Sequence, residues 1–387
     1  MRLLSYITSI PQFCSLRRFS AWFPNLKWRS IIMGEGKTKT KPRRTYRTTR
    51  IVCVSDTHGY TPSQAGFKLP PGDVLIHAGD LTNQGSMSEL RRTVEWISAA
   101  DYEVKIVVAG NHDITLDPAF YAQHGPRFHN QRNLEDPSKC IQLLTTASPS
   151  IIFLNHSSTT IRLTRPDGPK TTFKVFGSPY SRFHGVWAFG YESTDADKLW
   201  DQIPPDTDIV VTHTPPYSHC DRWQRDGGVS GGCEGLRQAL RRVRPMLAVC
   251  GHVHDGRGYE RVRWDVNSSS SPENNDDDDN NNNASEEEQT EQGTLPPLGS
   301  KKQCLVDLTG KKQRRLDNDG CLQTEDAPHN SLNHEEDGGR WRRKETCIVN
   351  AAIMATSWPH KGGKKFHTPI VVDLELPVWN EEEELET

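Results

Sequence analysis

The sequence lacks any apolar run approaching the roughly 20 residues that a membrane-spanning helix requires, and we predict no membrane span. It is also poor in hydrophobic residues, which make up 34% of its 387 residues, against roughly 45–50% in typical globular chains. This shortage is concentrated outside a central stretch that retains enough apolar residues for a core. The formal net charge of -3 gives no indication of a particular partner.

Paired cysteine motifs are absent as well. The nine cysteines include no C-x-x-C pair and no closely spaced framework of the kind that marks a disulfide-stabilised domain. Cys53 and Cys250 lie inside apolar runs, where a thiol behaves as a small buried hydrophobe. We therefore predict reduced cysteines and an intracellular protein, with the cytoplasm as the first choice of compartment.

Acidic residues are missing from the first 34 positions, which combine arginines, hydroxyl residues and apolar residues. This composition is typical of a mitochondrial transit peptide, which would place the protein in mitochondria. The alternative is a solvated basic arm or an upstream start codon, with Met33 as the real beginning. We predict that residues 1–49 form a basic, disordered leader or transit peptide.

A second unusual segment spans residues 268–340. It contains a serine run, then Asp276 to Asp279, Asn280 to Asn283 and Glu286 to Glu288, and such a composition cannot bury enough apolar surface to offset its ordering entropy. We predict a disordered acidic and Asn-rich insertion, and we interpret its one apolar patch, Leu305 to Leu308, as chance clustering rather than a docking motif. The predicted catalytic domain then comprises residues 50–267 and 341–376, followed by an acidic tail at 377–387.

The central stretch contains five short apolar runs, at residues 51–54, 74–76, 106–108, 209–211 and 247–249, each followed by a turn with residues that bind metals. The residues after these runs are, in order, Asp56 and His58, Asp80, Asn111, His213, and His252 and His254. Each run is predicted to be a buried strand. A sheet that brings carboxylate, imidazole and carboxamide ligands to one edge can bind two cations there, and the pattern therefore predicts a dinuclear metal hydrolase.

Helical periodicity lies between these strands, at Met87 to Ile97 and at Leu236 to Val243, with a shorter helix at Asp195 to Trp200. Further strands, at 151–154, 159–163 and 173–176, are predicted in hairpin-like succession. We therefore predict an α/β fold with two face-to-face mixed β-sheets flanked by helices.

The order of the motifs D-x-H, G-D, G-N-H-D, a strand-end His and G-H-x-H resembles the calcineurin-like metallophosphoesterase superfamily. The stretches 52–58, 72–80, 105–112, 177–179 and 212–216 are similar to its metallophosphoesterase-domain-containing branch, which is linked to hydrolysis of cyclic nucleotide phosphodiesters. The similarity covers about residues 50–266 and 346–376. It implies an αββα sandwich.

The resemblance also implies which residues bind each of two divalent ions, of manganese, iron or zinc. One set is Asp56, His58, Asp80 and His254, and the other is Asp80, Asn111, His213 and His252. Two dications sharing a carboxylate can hold a bridging hydroxide that attacks phosphorus. His112 would then lie beside the metals and donate a proton to the leaving oxygen.

Several other polar residues need an interpretation. We interpret His77 as a buried core residue and Asp113 as a helix N-cap. Loops beyond strand ends commonly carry specificity, and the predicted substrate contacts in such loops are Tyr180, Arg182, Phe183, His184, Trp187, Tyr217 and His219.

The predicted partner is a small phosphoester, with nucleotides as the first candidates, and nothing in the sequence identifies a protein partner. One alternative is a phosphomonoesterase, protein phosphatase or nuclease of the same superfamily, although no clear nucleic-acid surface is present. A second alternative is an inactive homologue that binds nucleotides or partners. Since every ligand position holds a competent residue, we expect an active phosphodiesterase.

Overall fold

The computed structural model describes residues 45–183, 185–223, 227–264, 288–300, 302–318, 343–356, 360 and 362–379. The strands are β1 (Tyr46–Val54), β2 (Val74–Ala78), β3 (Val104–Val108), β4 (Ile151–Phe153), β5 (Ser157–Arg162), β6 (Thr172–Ser178), β7 (Ser181–Arg182), β8 (Gly190–Tyr191), β9 (Ile209–Thr212), β10 (Arg222–Trp223), β11 (Val229–Ser230), β12 (Leu247–Cys250), β13 (Gly258–Arg263), β14 (Gln289–Gln292), β15 (Cys304–Asp307), β16 (Glu345–Asn350) and β17 (Ile370–Pro377). The α-helices are α1 (Pro62–Ala65), α2 (Met87–Ala99), α3 (Pro118–Phe128), α4 (Pro137–Thr146), α5 (Ala196–Trp200) and α6 (Glu234–Val243). Short 3-10 helices lie at Ile114–Leu116, Ser193–Asp195 and His254–Gly256.

The strands form two large mixed sheets. The first has six strands in the order β15-β17-β1-β2-β3-β4, in which β1 to β4 are parallel and β17 runs antiparallel to β1. The second has seven strands in the order β14-β13-β16-β12-β9-β6-β5, in which β6, β9, β12 and β16 are parallel. The outer strands β5, β13 and β14 pair antiparallel with their neighbours.

The alternation of side chains along β1 illustrates how the layers pack. Ile51 and Cys53 belong to a core between the two sheets, whereas Val52 and Val54 point to the other face and pack with α2 and α4, because successive strand residues face opposite sides. The outer face of the second sheet packs on α5 and α6. The predicted arrangement of two face-to-face sheets with helices outside is confirmed.

The two longer helices predicted from periodicity are present. α2 begins after Ser86, whose hydroxyl accepts from the Glu89 N–H while Glu89 caps in return, a capping box that satisfies free N–H groups at the helix start. Its buried face includes Leu90, Val94 and Ile97. α6 likewise buries its apolar face, including Leu236 and Leu240, against the second sheet.

The predicted hairpin succession of residues 151–176 is wrong for its first member. β4 pairs parallel with β3 at the edge of the first sheet, and only β5 and β6 form an antiparallel pair, in the second sheet. The chain therefore changes sheets between β4 and β5, a step that the similar apolar patterns of the three runs do not reveal.

The predicted limits of the leader and of the disordered insertion also need correction. β1 begins at Tyr46, inside the segment predicted as a leader. Within the predicted insertion, β14 pairs with β13, and β15 forms the edge of the first sheet beside β17, with Val306 fully buried. The apolar patch at Leu305 is thus a strand, because pairing with β17 satisfies its backbone while its side chains enter the core. Residues 265–287 and 319–342 of that segment lie outside the described residues.

Two further predictions concern the chain as a whole. Within the described part of the chain, no helix combines the length and apolar character required to span a membrane. The seven cysteines in these ranges are all buried with free thiols, whereas Cys14 and Cys321 lie outside them.

Candidate metal centre

The predicted metal ligands all follow the carboxyl ends of parallel strands in the two sheets. This edge of a parallel sheet is where ligands commonly bind in α/β proteins. In chain order the ligands follow β1 (Asp56 and His58), β2 (Asp80), β3 (Asn111), β9 (His213) and β12 (His252 and His254).

Four of these residues have a left-handed backbone. The φ angles are 54° at Asp56, 45° at His58, 52° at Asp80 and 66° at His252. Such a conformation costs free energy for a residue with a side chain and persists where the surrounding structure holds it, often at functional sites. The turns after three strands are therefore bent sharply, which keeps the ligand side chains at the sheet edge.

Two glycines let the loops approach each other closely. A Cβ at Gly110 would overlap the Asp80 carboxylate, and a Cβ at Gly251 would overlap Ser55 and the Asp56 carboxylate. Any larger residue at either position would displace a ligand.

The first ligand group consists of Asp56, His58, Asp80 and His254. The Asp56 Oδ1 lies 3.3 Å from the His254 Nε2, which lies 3.3 Å from the His58 Nε2. The His58 Nε2 is in turn 3.7 Å from the Asp80 Oδ2. All four residues are largely buried, with side-chain exposures of 10% or less.

The second group uses the other oxygen of Asp80. The His213 Nε2 lies 3.3 Å from the Asp80 Oδ1 and 2.9 Å from the Asn111 Oδ1. The His252 Nδ1 is also 2.9 Å from the Asn111 Oδ1. The Asp80 carboxylate thus faces one ligand group with each oxygen.

These groups fit divalent metal ions. Nitrogen and oxygen ligands about 2.0 to 2.2 Å from one cation lie roughly 3 to 3.5 Å from each other, close to the separations of 2.9 to 3.7 Å seen here. His213 also shows the outer contact that metal-binding histidines commonly make, since its Nδ1 lies 3.0 Å from the Ala78 carbonyl oxygen. A donor at Nδ1 leaves Nε2 as the nitrogen available for a metal.

The electrostatics of the centre favour ligation. Burial, together with the nearby His112, lowers the pKa of His58 to about 3, and burial and His213 lower that of His252 to about 3. Both imidazoles are therefore neutral at neutral pH, as ligation requires. Burial alone would raise the pKa of Asp56, but its hydrogen bond to His254 and the charge there lower it to about 2.

The pKa of His213 is shifted in the opposite direction to those of His58 and His252. Burial would lower its pKa, but the charge and hydrogen bond of Asp80 outweigh burial and raise it to about 9. The same contact holds the pKa of Asp80 well below its usual value. A cation bound between the two residues would replace this proton, because ligands bind metals in their deprotonated forms.

His112 lies beside the centre, where the sequence places a proton donor. Its backbone N–H donates to the Asp80 Oδ1 at 2.9 Å, and its Nδ1 is 2.7 Å from the Asn83 carbonyl oxygen. The imidazole contacts His58 edge-on, with centroids 4.7 Å apart. Its other side packs on the indole of Trp187, with centroids 4.0 Å apart and planes at 30°.

The prediction that Asp113 is a helix N-cap is wrong in its mechanism. Asp113 precedes the 3-10 helix at Ile114–Leu116, but its side chain makes no capping hydrogen bond. Instead the buried carboxylate accepts from the N–H groups of Leu81, Thr82 and Gly110 at 2.8 to 3.1 Å and from the Thr82 hydroxyl at 2.7 Å. It therefore ties the loop after Asp80 to the loop that carries Asn111. His77, by contrast, is the buried residue predicted, with its Nε2 2.9 Å from the Thr57 hydroxyl.

Among the predicted substrate contacts that the structure describes, only Trp187 contacts a residue of the centre, His112. Phe183 and Tyr217 are exposed, Arg182 is exposed on β7, and Tyr180 packs against His156 and Phe189. His184 lies outside the described residues.

The prediction for His219 is wrong. The side chain is buried, with Nδ1 2.9 Å from the Glu260 Oε2 and Nε2 2.7 Å from the Glu288 Oε1. Both ring nitrogens are therefore occupied by carboxylates of the protein and neither is available to a substrate. These contacts could not be predicted from the position of His219 after Pro215 and Pro216, because Glu260 and Glu288 are distant in sequence.

Two residues near the centre were missed from the sequence. Trp223, on the short ribbon of β10 and β11, lies with its ring centroid 6.1 Å from that of His252. Asn350, at the end of β16, donates from its Nδ2 to the carbonyl oxygens of Cys220 at 2.9 Å and Val253 at 2.8 Å. Asn350 thereby fixes the loop between His252 and His254.

Comparisons with known proteins agree with this architecture. The family model described as calcineurin-like phosphoesterase matches residues 49–256. The chain is 38% identical over 217 residues to metallophosphoesterase domain-containing protein 1 of Homo sapiens, which covers 54% of this chain and 62% of the human protein. It is 32% identical over 212 residues to the UPF0046 protein C25E10.12 of Caenorhabditis elegans, covering 54% of this chain and 70% of that protein.

A further relative is a probable rhamnogalacturonate lyase C of Emericella nidulans, 40% identical over 237 residues. That match covers 61% of this chain but 20% of the Emericella protein. The chain thus spans less than two thirds of the Emericella and human relatives.

Proposed function

Because the chain belongs to the calcineurin-like phosphoesterase family, we propose that it is a metal-dependent phosphodiesterase of small phosphodiesters, with cyclic nucleotides as the first candidates. The observation that carries the proposal is the Asp80 carboxylate, whose two oxygens face two separate groups of ligands. Two divalent cations bound there would supply Lewis-acid activation of a water molecule and of the phosphate oxygens.

The two ligand groups provide two separate positions for cations. One cation is assigned to Asp56, His58, Asp80 and His254, and the other to Asp80, Asn111, His213 and His252. This donor set of carboxylate, imidazole and carboxamide suits manganese, iron and zinc. The left-handed turns and the close glycines hold these side chains in place before a cation arrives.

His112 is assigned the proton for the leaving oxygen. A carbonyl oxygen only accepts, so the Nδ1 that faces the Asn83 carbonyl carries a proton. The neutral form then has no proton on Nε2, and the donor must be the imidazolium form acting through Nε2. The indole of Trp187 packs on the ring and helps to hold its orientation.

The aromatic surroundings support a nucleotide as substrate. Trp187 lies against His112, and Trp223 lies near His252. Aromatic faces stack well on purines. A phosphomonoesterase or nuclease of the same family is the main alternative, and an inactive binding homologue is a second. The lyase activity named for the Emericella relative is not proposed, since the match spans 20% of that protein.

The test is a substrate panel on one preparation of the full chain, stripped with a chelator and reloaded with manganese, iron or zinc. We expect hydrolysis of bis-p-nitrophenyl phosphate and of adenosine 2′,3′- or 3′,5′-cyclic phosphate, with adenosine monophosphate as inhibitor. Cleavage of p-nitrophenyl phosphate without either diester would replace this proposal with the phosphatase alternative. A metal-loaded chain that cleaves none of these esters would support the inactive homologue.

A further inference from the structure

A cleft of about 380 Å³ adjoins the metal centre and includes one of its ligands. His58 lies in its wall, and so does Asn83, whose carbonyl oxygen holds His112. The rest of the lining consists of Gly59, Tyr60, Gln64, Glu89, Arg92 and Lys364. A water molecule takes up about 30 Å³, so the cleft has room for a group much larger than water.

Two cations in this lining form no ion pair with the part of the chain that the structure describes. Arg92 is exposed on α2 and makes no ion pair with any residue in the described ranges. Lys364, from the loop before β17, donates from its Nζ to the Tyr60 hydroxyl at 2.8 Å, a neutral partner. The same Nζ lies 4.6 Å from the centroid of the Tyr60 ring, and Phe366 supports that ring at 5.1 Å.

Glu89 is the only carboxylate among the described residues of the lining, and its Oε2 already accepts hydrogen bonds from the protein. Its Oε2 accepts from the N–H groups of Gln84 at 3.2 Å and Ser86 at 3.3 Å and from the Ser86 hydroxyl at 3.0 Å. This carboxylate caps α2, where the positive end of the helix dipole also offsets its charge. The cleft therefore has an excess of positive charge, independent of any bound metal.

We propose that this cleft binds a second phosphate of the substrate, so that the preferred substrate is a phosphodiester that carries a further phosphate group. The proposal rests on the proposed phosphodiesterase function. The scissile diester occupies the metal centre, so an anion in the cleft must belong to another part of the molecule. A guanidinium fork and an ammonium group together match the several oxygens of a terminal phosphate, and Gln64 adds a neutral donor.

The test compares adenosine 2′,3′-cyclic phosphate with the same nucleotide carrying a 5′-phosphate. For the wild-type chain we expect kcat/KM to be about tenfold or more higher for the doubly phosphorylated nucleotide, since charge-assisted hydrogen bonds of this kind are strong. Arg92→Gln and Lys364→Gln should each remove most of that preference while leaving kcat/KM for the singly phosphorylated nucleotide within about twofold. The preference should also shrink at high salt, because both cations are exposed.

The chain offers matched controls beside each cation. Arg91 is the next residue on α2 but lines a different groove, with Val94 and Leu143, and Lys365 follows Lys364 in the same loop. Arg91→Gln and Lys365→Gln remove the same charges from neighbouring positions and should keep the full preference. Loss of the preference in these controls would mean that general surface charge, not the cleft, determines it.

Binding gives a second readout that does not depend on turnover. Isothermal titration of the metal-loaded His112→Asn chain with both nucleotides should show tighter binding of the doubly phosphorylated one, and a further Arg92→Gln substitution should remove most of the difference. Equal affinity for the two nucleotides would overturn the cleft proposal even if diesters are hydrolysed. Absence of diester hydrolysis in the wild-type chain, with the affinity difference intact, would instead reject the proposed function and keep the subsite.

Discussion

Raising the pH from about 6.5 to about 9 should remove the contribution of His219 to the stability of the protein. Its imidazole lies between the carboxylates of Glu260 on β13 and Glu288 at the start of the segment leading into β14. Burial opposes protonation, but the hydrogen bonds and charges of the two carboxylates raise the pKa of His219 to about 9. In the unfolded chain a histidine has a pKa of about 6.5.

A raised pKa in the folded state means that the folded protein binds the proton more tightly, and the resulting stabilisation is fully present below the unfolded pKa. Since each pKa difference of one is worth about 1.4 kcal/mol, His219 contributes about 3 kcal/mol to the free energy of unfolding at pH values below about 6.5. This contribution is lost as the pH rises through about 9.

The measurement is urea unfolding of wild type and His219→Gln at several pH values in this window. His213 also has a pKa of about 9 in the metal-free protein. The quantity to compare is therefore the difference in free energy of unfolding between wild type and His219→Gln, because the contribution of His213 is the same in both chains. That difference should fall by about 2 to 3 kcal/mol across the window. His124→Gln, on α3, serves as the control. A difference that stays constant with pH would refute the assigned role of His219.

Three other predictions address residues around the core and the centre. Val306→Ala should lower the free energy of unfolding by about 1 to 3 kcal/mol, because Val306 is fully buried in β15. The control Val229→Ala, at an exposed site, should have little effect. Equally small losses for both variants in urea unfolding would place β15 outside the core. Asp113→Asn replaces one acceptor oxygen by an NH₂ group that faces backbone N–H groups. It should lower the free energy of unfolding by about 2 to 5 kcal/mol in the same assay and weaken metal binding. Wild-type stability and metal affinity in this variant would show that Asp113 does not tie the two loops together. His112→Asn should slow hydrolysis of alkyl phosphodiesters about 10²- to 10⁴-fold and p-nitrophenyl esters less; equal losses across a leaving-group series, with metals retained, would reject the proton donor.

The parts of this structure that local patterns determine could be predicted from the sequence. β1, β2, β3, β9 and β12 each contain a short apolar run shortly before a turn, and buried parallel strands commonly read in this way. The apolar spacing of α2 and α6 likewise predicts helices with one buried face. Because parallel strands of one sheet bring their carboxyl ends to the same edge, the grouping of Asp56, Asp80 and Asn111 in the first sheet follows from the strand predictions. The approach of His213, which follows β9 in the second sheet, depends in addition on how the two sheets pack.

The features that depend on distant partners could not be predicted. β15 is a strand because it pairs with β17. The residues on both sides of it in the sequence are mostly polar, and their composition is typical of a disordered segment. His219 depends on Glu260 and Glu288, and the role of Asp113 on the loop after Asp80. In each case the side chain or strand meets a residue far away in sequence, and no local spacing encodes such a contact.

The central claim is that Asp80 joins two cations, and metal stoichiometry tests it most directly. Metal-free wild-type, Asp80→Asn and Asp101→Asn chains are titrated with manganese and the bound metal per chain is measured, Asp101 being a control whose side chain is 90% exposed. The account predicts two bound ions per chain in wild type and in Asp101→Asn. In Asp80→Asn it predicts no more than one bound ion and loss of turnover, since a neutral amide cannot bridge two cations as a carboxylate does. Two tightly bound ions and a wild-type rate in Asp80→Asn would contradict it.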